Sequence, residues 1–201
     1  MDEKYDSLKS PGSKRHQERV RYKAMAGLVP AEALSPEEFA EILAAHGEFI
    51  ASGGGGGRWQ TYATDGPGVG VVFGVYVGSE RAGLPGAQAE LQHSRLEGLD
   101  LRGVQLPYAN LCGVRCRSQD LRGANLSGSL ATDADFSDAN LEGADLSRAD
   151  LSRSDLVRCN LRDTDLTHAD FEHADLTGAD LRGAKLEGAH FAGAQMEQVL
   201  R

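Results

Sequence analysis

A five-residue repeat fills the second half of the chain and constrains its fold more than any other feature. The repeat centres are the residues whose numbers end in one or six, from Leu91 to Met196, and 16 of these 22 residues are leucine. Alanine stands two residues before a centre 13 times, and Asp or Asn stands one residue before it 14 times. The unit therefore reads Ala-(Asp/Asn)-Leu-x-x, and it runs without a phase slip.

A period of five fits neither an α-helix nor a flat strand. On a helix, five residues turn the side chain by roughly 140°, so the leucines would be scattered around the axis. On a strand, five residues reverse the face. The pattern keeps Leu and Ala inside only if the chain bends once per repeat and its turns stack as a solenoid. In such a solenoid we expect the short Asp or Asn side chain to bind backbone groups at each tight corner.

Units such as Ala144-Asp145-Leu146 and Ala179-Asp180-Leu181 resemble the pentapeptide-repeat family. The resemblance covers about 110 of the 201 residues. It implies a mainly β protein, a right-handed quadrilateral β-helix with four repeats per coil. Residues 89–198 would then form about five to six coils.

The repeat is least regular around residues 116–132. Ala131 replaces an inward Leu, Leu130 stands where Asp or Asn is usual, and Gln119 occupies an inward small-residue position. We expect a local bulge or shifted corner there. The phase also places Cys112 outward but Cys116 and Cys159 inward, so the three thiols do not converge on a metal. We expect no metal and no cofactor.

The region before the repeats, 25–88, is predicted to be a small α/β cap. Ser35-Pro36-Glu37-Glu38 is typical of a capped helix start, and the apolar spacing that follows predicts a helix over about 36–51. Alternation around Val69–Val77 predicts a hairpin over about 58–78. We expect helix and hairpin to cover the N-terminal mouth of the rod.

The two chain ends carry separate predictions. Residues 1–24 have a net charge of +3 and are interpreted either as a flexible basic tail or as an arm that binds nucleic acid. Residues 199–201 end the chain. The apolar side chains near this end predict a small plug or a homodimer contact, because family members often dimerise there: Phe191, Met196, Val199 and Leu200.

Outward positions recur every twentieth residue and form columns along the rod. One face carries a basic column, in which neighbouring aspartates are expected to neutralise the arginines: Arg102, Arg122, Arg162 and Arg182. Two other sides carry acidic columns: Asp135, Asp155 and Asp175 on one, Asp150 and Asp170 on the adjoining one. We interpret these columns either as a salt-bridged surface or as stripes that bind partners.

Charge and composition narrow the function classes. The net charge of −9 disfavours a generally basic nucleic-acid binder. Neither an apolar membrane span nor an apolar leader is visible, and three cysteines make no disulfide framework, so we expect a cytoplasmic protein without a membrane role. No nucleophile, base and orienting group occur together, which disfavours an enzyme.

The remaining function is a non-catalytic protein-binding scaffold with a partner of unknown identity. The family resemblance adds an alternative, because some members mimic DNA, bind DNA gyrase and confer fluoroquinolone resistance. This chain would then regulate or protect a type II topoisomerase, gyrase or topoisomerase IV. A further alternative is nucleic-acid binding through residues 1–24.

Overall fold

The computed structural model describes residues 33–54, 58–63, 72–77, 89, 91 and 94–201. The predictions for residues 1–24 lie outside these residues. Within the described part, no helix has the length and apolar character needed to cross a lipid bilayer.

Helix α1 spans Pro36–Phe49 and continues into a π-type turn over Ile50–Gly54. The predicted capping box is confirmed: Glu38 N–H donates to Ser35 Oγ and Ser35 N–H donates to Glu38 Oε2, both at 3.1 Å. The helix ends at Phe49, two residues before the predicted end near residue 51, because the backbone opens into the wider π-type turn from Ile50.

Two strands follow, β1 (Arg58–Ala63) and β2 (Val72–Val77). They pair antiparallel, with Gln60 opposite Val75 and Tyr62 opposite Phe73. This confirms the predicted hairpin pairing.

The repeats stack in a fixed register along the rod. Parallel bridges join pairs of residues that are twenty apart in the sequence, among them Arg95 with Arg115 and Asp180 with Leu200. Four repeats therefore close one coil, and the coil has four faces. We number the faces by their repeat centres: face 1 (101, 121, 141, 161, 181), face 2 (106 to 186), face 3 (91 to 191) and face 4 (96 to 196), each in steps of 20.

Within a central repeat, every backbone N–H has an acceptor. Two of the five N–H groups donate to carbonyls of the next coil, and one donates to a carbonyl of the previous coil. The fourth donates to the carbonyl of the repeat centre, and the fifth donates to the side-chain oxygen of the preceding Asp or Asn. For residues 141–145 the acceptors are Asn160 O, Asn140 Oδ1, Arg162 O, Leu141 O and Ala124 O, at 2.8–3.1 Å. The Asp or Asn column is therefore a structural requirement, since it satisfies the one N–H that the coils leave over.

Each repeat turns its corner at the residue two places after the centre, which adopts a left-handed conformation. Gly143 has φ 68°, and non-glycine residues such as Arg148 adopt similar values, φ 58°. This bend keeps successive leucines inside despite the period of five.

The interior is filled by the repeat centres and the small residues before them. Centres from Leu91 to Leu181 are at most 3% exposed. Ala131 is fully buried, and the backbone bonds of residues 121–131 keep the regular pattern at 2.7–3.1 Å, so no bulge lies at Leu130 or Ala131. The pattern departs instead at Asp120, which shares neither a bridge nor a backbone bond with the coil before it. Gln119 is tolerated because it is partly exposed and its Nε2 donates to the Arg117 carbonyl at 3.4 Å.

The two ends of the rod differ. At the N-terminal end, Leu34 N–H donates to the Arg95 carbonyl and Ala89 N–H donates to His46 Nδ1 at 3.0 Å. Phe39 joins the same apolar core as the first coil, and Ile42 and Leu43 pack against it. Helix α1 thus packs on the first coil. Burial lowers the pKa of His46, and the backbone of Pro107 opposes this shift.

Candidate interaction surface

The arginine column on face 1 is ion-paired rather than free. Arg102, Arg122 and Arg182 each bind the Asp two residues earlier in the same repeat, with closest N–O distances of 3.1, 2.7 and 2.6 Å. This confirms the expected neutralisation within Asp-Leu-Arg units.

Arg162 differs from the other three arginines because Asn160 replaces the Asp of its own repeat. Asn160 Oδ1 accepts the backbone N–H of Arg162 at 3.1 Å and supplies no charge. The Arg162 guanidinium instead lies 3.7 Å from Asp180, whose carboxylate already binds Arg182. Arg162 therefore has the weakest ion pair of this column.

The aspartates of the acidic columns on faces 3 and 4 accept hydrogen bonds from backbone N–H groups at the corners of the coil. Asp135, Asp155 and Asp175 accept the N–H of residues 137, 157 and 177 at 2.9–3.1 Å. Asp150 and Asp170 accept the N–H of residues 152 and 172 in the same way. In each case Oδ1 makes this bond, so Oδ2 is the oxygen left to face a partner.

The structure shows a second set of ion pairs, between coils, that the sequence reading missed. At the left-handed corners Arg153 binds Asp133 at 2.8 Å and Arg158 binds Asp138 at 2.7 Å. Lys185 binds Asp165 at 3.0 Å. The signal was present in the sequence, because the opposite charges of each pair stand four repeats apart. Most charges on the described surface are therefore held at fixed positions.

We expect the corner role of the aspartates to appear in a pair of variants at Asp145. Its Oδ1 accepts the Ser147 N–H at 2.9 Å. Asp145→Ala leaves this N–H without its acceptor and should lower the free energy of unfolding by about 1 kcal/mol. Asp145→Asn keeps the amide oxygen and should be nearly neutral. Equal losses in urea unfolding of the two variants would contradict the corner role.

The ion pairs predict how the rod responds to acid. Hydrogen bonds and ion pairing with Arg122 and Arg182 lower the pKa of Asp120 and Asp180 to about 2. Hydrogen bonding from Thr167, followed by the ion pair with Lys185, lowers the pKa of Asp165 to about 2. Their stabilisation is fully present above the ordinary Asp pKa of about 4 and is lost as the pH falls through about 2. Burial raises the pKa of Asp150, which acts in the opposite direction.

The melting temperature should therefore fall between about pH 4 and pH 2. Scans from pH 6 to pH 2 test this, with Asp165→Asn as the control, which should lose less on acidification than the parent. A melting temperature that is constant to pH 2 would contradict the assignment.

The described residues hold no group of three or more His, Cys, Asp or Glu side chains that could bind a metal ion. Cys116 and Cys159 are buried at the predicted inward positions, and burial raises the pKa of both thiols. His173 is a surface side chain, 3.6 Å from Glu172.

The prediction for Cys112 needs a correction. Cys112 stands at an outward position of its repeat, yet it is only 2% exposed. Thr132 Oγ1 donates to its sulfur at 3.1 Å. The physical reason is that repeat phase fixes the direction in which a side chain leaves the coil and does not fix how exposed that side chain is.

The C-terminal end presents apolar side chains of the last coil. Phe191, Met196 and Val199 are partly buried against the core, and Leu200 is 49% exposed. The Phe191 ring stacks on Phe171, with ring centroids 5.0 Å apart. All four residues predicted for this end thus lie together on the last coil.

Comparisons with known proteins agree with this architecture. The family described as pentapeptide repeats matches in eight copies, over residues 109–148, 144–183 and 165–199. Pentapeptide repeat proteins form right-handed quadrilateral β-helices, and the four-sided coil of this chain, built from four repeats, has this architecture. Among curated protein sequences, none matches this chain.

Solved structures of three such proteins are similar. HetL of the cyanobacterium Nostoc sp. strain PCC 7120, involved in heterocyst differentiation regulation, is 28% identical over 53% of this chain and 61% of its own, with a TM-score of 0.39. QnrB1, a plasmid-mediated fluoroquinolone resistance protein, is 19% identical over 52% of each chain, with a TM-score of 0.33. The chain thus spans about half to three-fifths of these two proteins.

The pentapeptide repeat protein alr5209 of Nostoc PCC 7120 is 32% identical over 45% of this chain and 83% of its own, with a TM-score of 0.25. With the repeat matches over 109–199 and this identity, the chain belongs to the pentapeptide repeat family.

Proposed function

We propose that this protein is a non-catalytic, cytoplasmic protein-binding scaffold. The supporting observation is the outer surface of the rod, where charged side chains stand in columns that corner bonds and ion pairs fix from coil to coil. A surface fixed in this way loses little side-chain entropy on binding, which favours broad contact with a partner.

The proposal assigns a role to each part of the chain. Residues 89–198 form the binding rod of five to six coils, residues 25–88 cap its N-terminal end, and residues 199–201 end it. We propose that residues 1–24, with a net charge of +3, serve as a basic tail. The packing of helix α1 on the first coil supports the capping role.

Affinity capture from lysate with matched variants tests the scaffold role. The parent should retain a defined partner, and one of two charge variants should lose it. The first variant combines Arg102→Glu, Arg122→Glu and Arg182→Glu on face 1, and the second combines Asp135→Asn, Asp155→Asn and Asp175→Asn on face 4. Asn keeps the corner bond, so the second variant should stay folded. A partner that both folded variants retain equally would contradict a role for the columns.

A second candidate function is regulation or protection of a type II topoisomerase by DNA mimicry. The observation that favours it is the face 4 column, where three aspartates stack one coil apart and each has one oxygen outside the corner bond. A regular row of negative charge is the feature that DNA phosphates present.

A supercoiling assay with purified gyrase tests the mimic. Activity should change with the parent and should not change with the Asp135, Asp155 and Asp175 triple-Asn variant. No effect of the parent on gyrase and topoisomerase IV would exclude the mimic. A duplex-DNA shift that disappears on deletion of residues 1–24 would instead support the nucleic-acid-binding alternative.

We also propose a homodimer through the C-terminal end. The last coil leaves Phe191, Met196 and Val199 only partly covered, and unpaired strand edges tend to associate. Sizing with light scattering should give twice the chain mass at micromolar concentration, and Leu200→Asp should give the monomer. A parent that is monomeric at this concentration would contradict the dimer.

A further inference from the structure

One outward column of face 4, which immediately precedes the repeat centres, reverses its charge along the rod. Parallel bridges join its members at steps of twenty residues. From the first coil to the last, this column reads Arg95, Arg115, Asp135, Asp155, Asp175 and Gln195. Two coils therefore present a positive charge here, and the next three present a negative charge. We call these six residues the charge-reversed column.

The charges of this column are available for a contact. Arg115 is exposed, and within residues 94–201 no ion pair joins it to a carboxylate, although Asp135 is its bridge neighbour. Arg95 binds Glu97 at 3.1 Å, and both side chains remain partly exposed. Asp135 and Asp155 use Oδ1 for the corner N–H, which leaves Oδ2 outside that bond.

The reversal makes the column complementary to itself when a second copy lies alongside in the opposite direction. With the two-fold axis between the coils of Arg115 and Asp135, these two residues face each other across the contact. Arg95 then faces Asp155, and the symmetry repeats both pairs, which gives four ion pairs.

The charges select one direction and one register. A shift of one coil sets Asp135 or Arg115 opposite its own copy, and parallel copies in register set every charge opposite its like. Such contacts between like charges are unfavourable and suppress the alternatives. In the selected register each long Arg faces a short Asp, so the separation of the two faces is the same at all four pairs.

The next column of face 4 is compatible with this register. It follows the repeat centres and sets Arg117 opposite Ser137, and Glu97 opposite Val157. No like charges meet in these pairs, and the two uncharged partners are small enough to let the faces approach.

We propose that face 4 is a contact surface for a second copy of this chain, which lies side by side with the first in the antiparallel direction. This surface is separate from the C-terminal end. Exposed ion pairs are individually weak and the contact is small, so we expect a dissociation constant on the order of 0.1–1 mM. Raising the salt from about 0.1 M to about 1 M shortens the Debye length from about 10 Å to about 3 Å and should weaken the dimer.

Small-angle X-ray scattering of Leu200→Asp tests the proposal, because the new charge opposes an apolar contact at the C-terminal end. At about 0.1 M salt the mass should rise toward twice the chain mass as the protein concentration rises to about 1 mM, and about 1 M salt should reduce this rise. A monomer throughout this range would overturn the proposal. So would a mass beyond the dimer, or an association that salt leaves unchanged.

Charge variants in the Leu200→Asp background test the residues. Arg115→Glu should abolish the association, because it sets a carboxylate opposite Asp135 twice. Arg148→Glu is the matched control: it makes the same charge change at an exposed corner of face 2, on the opposite side of the coil, and should associate like its parent. Association that persists in Arg115→Glu, or an equal loss in Arg148→Glu, would overturn the assignment.

A mixture of two variants tests the register. Asp135→Lys should also be monomeric, because it sets two positive charges opposite each other. Mixed with Arg115→Glu, it should restore the dimer, since every pair then joins opposite charges again. The column accepts a basic residue at Arg95 and Arg115, and circular dichroism checks that Asp135→Lys is folded. Two folded variants that stay monomeric when mixed would overturn the register; should Asp135→Lys not fold, the comparison of Arg115→Glu with Arg148→Glu decides.

Discussion

Leu161→Asp should abolish the cooperative unfolding transition of the rod. Leu161 is fully buried in a central coil, with its backbone N–H bonded to the Asp180 carbonyl at 2.8 Å. Loss of the Leu side chain alone costs about 2–5 kcal/mol. The new carboxylate finds no partner in an interior of leucine and alanine, which adds several kcal/mol.

The sum of these losses is comparable with the whole stability of a typical domain, about 5–15 kcal/mol. Each coil of a solenoid is stabilised mainly by its neighbours, so a break in a central coil separates the coils on either side. Circular dichroism during heating, together with limited proteolysis, measures the effect.

Arg162→Ala is the matched control, because it changes the next residue on the outside of the same repeat. Its ion pair is long, 3.7 Å, and surface pairs contribute about 0–1 kcal/mol. The melting temperature should therefore stay nearly unchanged. A large loss in Arg162→Ala, or a normal transition in Leu161→Asp, would show that the inward and outward assignments are wrong.

Phe171→Ala should produce the second largest loss. Phe171 is a fully buried repeat centre, stacked on Phe191 of the next coil with the rings within 1° of parallel. Removing the ring leaves a cavity that the narrow interior cannot close, at a cost of about 3–5 kcal/mol. Urea unfolding should show this as a lower midpoint with a similar slope.

Phe191→Ala provides the comparison at the open end. Phe191 makes the other half of this ring contact but is only partly buried. Phe191→Ala should therefore lower the free energy of unfolding by well under half as much as Phe171→Ala. The two variants should also be non-additive, because they remove one shared contact. Equal losses at the two positions would contradict the asymmetry between the interior and the C-terminal end.

Much of the fold was predictable because the repeat is a direct consequence of packing geometry. Leu146 and Ala144 recur at fixed positions because each coil offers the same narrow interior, and Asp145 recurs because each corner leaves one N–H without an acceptor. These local causes are the same in every coil, so a single sequence displays them many times.

The sequence was less informative where contacts are not local. Near 116–132, the expected bulge is absent at Leu130 and Ala131, and Gln119 turns outward to a carbonyl instead of filling its inward position. The register departs at Asp120, where no bridge to residue 100 forms. Repeat phase places Cys112 and Leu130 on the outside of the coil, and it does not determine that both are buried. The pairs between coils, such as Arg153 with Asp133, become visible only when every twentieth residue of the chain is compared.

On the candidate surface, too, the sequence predicted local features and did not predict features that depend on distant groups. Position and ion pairing of the arginines followed from the repeat, since Asp-Leu-Arg places both charges on one face. Which column meets a partner depends on the partner's own surface, and so the variants of faces 1 and 4 are needed to decide it.

Engineered disulfides test the four-sided coil most directly. Ser147 and Thr167 stand one coil apart on face 2. Neighbouring strands lie about 4.8 Å apart, which is within the Cα separation of about 4.4–6.8 Å that a disulfide needs, so Ser147→Cys with Thr167→Cys should form one. Val157 is nearer in sequence but lies on the opposite face, so Ser147→Cys with Val157→Cys should remain reduced under the same oxidation. Peptide mapping of the folded chain distinguishes the pairs. A disulfide in the second pair, or its absence in the first, would contradict a coil of four repeats.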